Sequence, residues 1–74
     1  MNGIFENAKF GTVFRTKDGG QAVYLRYIPF DNLHKLFVDG FEYPFHYYPD
    51  GTRKGGGKYA RLHGSGLDIA QIAN

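Results

Sequence analysis

Three Asp-Gly pairs, Asp18-Gly19, Asp39-Gly40 and Asp50-Gly51, punctuate runs of alternating aromatic and aliphatic side chains. Asp-Gly suits a type I′ hairpin turn, because both central residues need positive φ, which glycine adopts freely and aspartate tolerates. Their spacing predicts a meander of hairpins. The composition agrees. Seven Phe and six Tyr favour strands, and 11 glycines with only 22% charged residues argue against a helical bundle.

The first hairpin is the clearest: a strand over Thr12–Thr16, a turn at Lys17-Asp18-Gly19-Gly20, and a return strand over about Gln21–Phe30. Strict alternation puts Val23, Leu25 and Tyr27 on one face and Tyr24 and Arg26 on the other. Phe30-Asp31-Asn32, after Pro29, reads as a turn. A third strand covers Lys35–Val38 with Leu36 and Val38 together. A fourth covers Phe41–Tyr48, with Phe41, Tyr43, Phe45 and Tyr47 sharing a face and Pro44 assigning it to an edge or a bulge. Tyr59–His63 reads as a short returning strand, making 51–58 a long loop. The tail has two readings. Ser65 and Asp68 have the spacing of a capping box, while Leu67-Asp68-Ile69 reads as a closing strand. The strand is preferred, with at most one helical turn after it. The expected fold is all-β and mainly antiparallel, about five strands in a meander curled into a small open barrel or roll. By strand count alone it resembles SH3-like geometry.

The 74 residues hold one domain and no second core. Without cysteine the chain has neither disulfides nor thiolate zinc sites. His34, His46 and His63 form no close pair, so no metal is expected. Gly55, Gly57 and Ala60 match the G-x-G-x-x-A dinucleotide pattern, but it must follow a strand and open a helix, and here Arg53-Lys54 precede it. The phosphate-loop pattern fails outright, since Tyr59 follows Lys58. Glu42 is the one strand-borne carboxylate among aromatics, on the face opposite Phe41, Tyr43 and Phe45. Ser65 has no His-Asp arrangement around it. No catalytic set and no cofactor emerge, and the chain reads as a non-enzyme. No leader peptide or apolar span is visible, so the expected location is cytoplasmic.

Charge is the remaining signal. Residues 1–50 hold five Lys/Arg against six Asp/Glu, and residues 51–74 hold four against one. Between Asp50 and Asp68 no acid occurs, while Arg53, Lys54, Lys58 and Arg61 do. Gly55-Gly56-Gly57 impose no conformation, so this arm is expected to move in the free protein. Arg53, Lys54, Lys58, Tyr59 and Arg61 are the candidate binding residues, with Tyr47 and Tyr48 as an aromatic surface beside them. Basic and aromatic side chains on one loop suit either an acidic protein surface or a phosphate backbone. The first expectation is a small interaction module that binds another protein. The second is a nucleic-acid-binding accessory protein using the basic glycine-rich loop 51–66.

Thr16-Lys17-Asp18-Gly19-Gly20-Gln21-Ala22, then Tyr48-Pro49-Asp50-Gly51, then Leu67-Asp68-Ile69, resemble in order small β-domain proteins of unknown role encoded in phages, prophages and gut bacteria. Those typically read Thr-Arg-Asp-Gly-Arg-x-Ala at the first hairpin; here Lys17 and Gly20 differ. The resemblance implies a small β-domain and supplies no site residues.

Overall fold

The computed structural model describes residues 3–55 and 66–73. Within them five strands form one antiparallel sheet: β1 Val13–Thr16, β2 Gln21–Ile28, β3 Leu33–Val38, β4 Phe45–Tyr47 and β5 Ile69–Ile72. The expected all-β architecture is present, curled as a half-barrel. The order is β4-β3-β2-β1-β5, so the meander ends at β4 and β5 returns beside β1. Ile69 N–H donates to Gly51 O at 2.8 Å, which ties the loop after β4 to the start of β5 and draws the sheet's two ends together. The preferred closing strand is present and continues through Ile72, where at most one helical turn was allowed, its residues pairing with Phe14, Arg15 and Thr16. No helix occurs among the described residues, and the expected strand at 59–63 lies outside them.

The turns correct the type I′ expectation. Within each Asp-Gly pair the glycine alone takes positive φ, at 93–94°. At the first hairpin Gly19 N–H donates to Thr16 O at 3.0 Å and Thr16 N–H to Gly20 O at 2.9 Å. After β4, Gly51 N–H donates to Tyr48 O and Tyr48 N–H to Thr52 O, both at 2.9 Å. Both are three-residue loops closed by a left-handed glycine. Aspartate serves each by its side chain instead of its backbone. Asp18 Oδ1 accepts from Gly20 N–H and the Thr16 hydroxyl, and Asp50 Oδ1 from Thr52 N–H and the Thr52 hydroxyl. Hydrogen bonds from Thr16 and Thr52 respectively are the leading reason both carboxyls sit below the ordinary aspartate value of 3.8.

β4 is shorter than the expected Phe41–Tyr48, because Pro44 has no N–H for the ladder and pairing starts at Phe45. Alternation along β2 also fails at one place. Tyr24 pairs with Leu36 but Arg26 with Lys35, so Leu25 is an extra residue, a bulge. Beyond it the faces exchange, and Tyr27 stands opposite His34 on the same side as Tyr24. The core joins Phe14, Ala22, Tyr24, Leu36, Val38, Phe45, Tyr47 and Ile69 from the strands. Phe5, from the segment before β1, plugs the curl edge-on to Phe14 at 5.1 Å. Burying each such ring contributes roughly 1.5–3 kcal/mol.

Candidate functional site

Two cross-strand rows lie side by side on the face of the sheet turned away from this core. Register pairs Val13 with Val23 and Val23 with Phe37, giving an apolar row in which Phe37 is 37% exposed. In the adjacent row Arg26 pairs with Lys35 and Lys35 with His46. The row continues past β4. Tyr47 bridges Arg53, and Lys54 N–H donates to His46 O at 2.8 Å, which sets Lys54 beside His46. Arg26, Lys35, His46 and Lys54 thus cross four adjacent backbone segments, spanning about 14 Å at the usual strand spacing. Among the described residues no carboxylate stands in that row. Like charges directly opposite one another oppose sheet pairing. Burial first, then the Lys35 and Lys54 charges, hold the His46 imidazole below its usual 6.5, against a smaller upward pull from Asp31. At neutral pH the row carries three charges, and a fourth appears on acidification.

Of the candidate binding residues read from the sequence, Arg53 and Lys54 fall among the described residues. Lys54 joins the row, but Arg53 turns to the core side, its guanidinium 5.4 Å from the Phe45 ring centre and its N–H on Asp68 Oδ1 at 2.9 Å. The backbone N–H groups of both residues are hydrogen-bonded to the body, Arg53 to Asp68 Oδ1 and Lys54 to His46 O. Lys58, Tyr59 and Arg61 lie outside the described residues. Tyr47, expected beside them at the surface, is fully buried, its hydroxyl donating to Leu67 O at 2.7 Å, while Tyr48 is exposed. Glu42 is exposed, as its place opposite Phe45 suggested.

A second feature lies at the mouth of the curl. A cleft of about 360 Å³ is lined by Phe5, Glu6, Tyr24, Tyr27, Asn32 and His34 among others. Tyr24 Oη and His34 Nδ1 are hydrogen-bonded at 2.7 Å. Burial pushes the tyrosine up and the histidine down, so the pair is neutral at pH 7. His34 packs against Phe5 at 4.5 Å and Tyr27 at 4.8 Å, so these rings are largely occupied with one another. Among the described residues no group of three His, Asp or Glu could hold a metal, and no helix is long and apolar enough to cross a membrane. Compared with known protein families, curated proteins and solved structures, the chain matches none.

Neither row of the outer face was legible from the sequence. Arg26, Lys35 and Lys54 are 9 and 19 residues apart there, and only register aligns them. A bulge at Leu25 has no sequence mark, so the partnership of Tyr24, Tyr27 and His34 was equally hidden.

Proposed function

We propose that this protein is a non-enzymatic interaction module that binds an acidic surface of another protein through the outer face of its sheet. The observation that carries this reading is the alignment of Arg26, Lys35, His46 and Lys54 beside the apolar row Val13, Val23 and Phe37. Opposed like charges oppose pairing, and an anionic partner removes that penalty. The neighbouring apolar row adds area whose burial does not depend on charge, as at the centre of a protein interface. A phosphate chain is the runner-up partner, with Phe37 as a stacking ring. One exposed ring beside three permanent charges is a sparse stacking platform, which favours protein.

Two anionic probes separate these partners: a peptide alternating Glu and Leu, and an oligothymidylate of equal charge. The expected result is saturable peptide binding that persists, weakened, at physiological salt, with the oligonucleotide bound less tightly. Tighter oligonucleotide binding with a steep salt slope identifies nucleic acid instead. Binding of neither removes the proposal.

A further inference from the structure

The β2–β3 hairpin carries a side chain that the fold does not use. Phe30 is 95% exposed, the most exposed large apolar residue among those described. The segment presenting it is stiff. Six register pairs join β2 to β3, from Ala22–Val38 to Ile28–Leu33. Beyond the last pair, Asp31 N–H donates to Ile28 O at 3.2 Å and Asn32 N–H to Pro29 O at 3.3 Å. Pro29 fixes its own φ, and Asn32 takes the left-handed conformation at φ 53°. The Tyr27 hydroxyl donates to Asn32 Oδ1 at 2.7 Å, which clamps the turn from the side. An aromatic ring held out on a rigid tip loses little conformational freedom on binding, which is the property of an interface anchor.

We infer that Phe30 is the anchor by which this module engages its partner, entering an apolar pocket on a protein whose rim is acidic. This rests on the reading that the outer face meets an acidic protein surface. The link is positional: Arg26 and Lys35 form the row two residue pairs behind the tip, roughly 7 Å along the strands from Ile28 and Leu33. A pocket deep enough to take the phenyl ring therefore brings its rim toward those two cations. A membrane fits the tip less well. Asp31, adjacent to Phe30 and exposed, would be carried into hydrocarbon, whereas at the rim of a protein pocket Arg26 and Lys35 outnumber it. Phe10, 79% exposed on the turn before β1, has no such paired cations behind it on its own element.

Carboxymethyl-β-cyclodextrin, an apolar cavity with a carboxylate rim, is the probe, with neutral β-cyclodextrin as its control. Phe30 ring and Arg26 side-chain resonances should shift saturably with the charged host, bound about threefold more tightly than the neutral one, the scale of a surface ion-pair contribution. That preference should vanish in the Arg26→Gln/Lys35→Gln variant. Phe30→Ala should abolish the ring's site. Tyr27→Phe, which keeps Phe30 but removes the clamp, should weaken it. Equal affinity for both hosts, preferential binding at Phe10, or Phe30 signals moved by phosphatidylcholine–phosphatidylglycerol vesicles but not by the hosts would overturn the inference. The two readings fail separately: if the Glu-Leu peptide still shifts the outer rows while the host result fails, only the anchor falls. If the peptide fails and the hosts behave as stated, the acidic-surface reading falls.

Discussion

Removing one oxygen from Tyr47 tests how the half-barrel is closed. The ring is fully buried between β3 and the edge segment, and its hydroxyl reaches across the opening to Leu67 O at 2.7 Å. Leu67 precedes β5, and with the Ile69–Gly51 and Arg53–Asp68 hydrogen bonds this contact fastens the last strand to the segment after β4. Tyr47→Phe keeps the ring and leaves a carbonyl without its donor, a loss of about 1–3 kcal/mol. A single core of this size supplies only about 3–5 kcal/mol in total. The variant should therefore fold but lose a large share of its margin. With a urea slope near 1 kcal/mol/M for a small domain, the midpoint should fall by roughly 1–3 M. A midpoint within about 0.3 M of the parent would refute the claim that this bond closes the sheet. The same group makes an alkaline signature. Burial raises the Tyr47 phenol above its ordinary value of 10.0, so its contribution is complete below that value and is lost as pH rises beyond it. Parent stability should decline above pH 10, and Tyr47→Phe should show a shallower decline.

Glycine substitutions should rank by surroundings. Gly19→Ala meets nothing within 4 Å and carries only the left-handed backbone penalty of about 1–2 kcal/mol. Gly51→Ala adds a Cβ 3.1 Å from Ile69 O, so its urea midpoint should fall further. The Asp18 and Asp50 carboxyls should titrate below 3.8 by carboxyl-carbon NMR; their contribution is present above the unfolded value and lost as pH falls through the folded one, and Thr16→Val should move Asp18 upward. His34 and His46 are both held below 6.5, chiefly by burial, so stability should decline as pH drops from 7 toward 5, and His34→Gln should reduce that slope.

What the sequence made legible was local. The Asp-Gly pairs mark real turns, and the apolar members Leu36 with Val38 and Phe45 with Tyr47 share the buried face as alternation required. The turn type was not legible, because Asp18 and Asp50 act through their carboxylates and leave positive φ to glycine alone. The length of β4 was overestimated since four aromatics alternate through Pro44, whose missing N–H the pattern does not weigh. The basic row of the outer face was hidden for a similar reason. A run of basic residues is visible along the chain, whereas Arg26, Lys35 and His46 become neighbours only through pairing between strands. Of that run, Arg53 has gone to the Phe45 ring and Lys54 to the row.

The most direct measurement of the functional claim is an amide-shift map of the protein saturated with the Glu-Leu peptide. The largest changes should fall on Val23, Arg26, Lys35, Phe37, His46 and Lys54, with Lys35→Glu suppressing them and leaving the free fold intact. Changes centred on Tyr24, Tyr27 and His34 in the cleft, or a Lys35→Glu variant that binds as well as the parent, would contradict it.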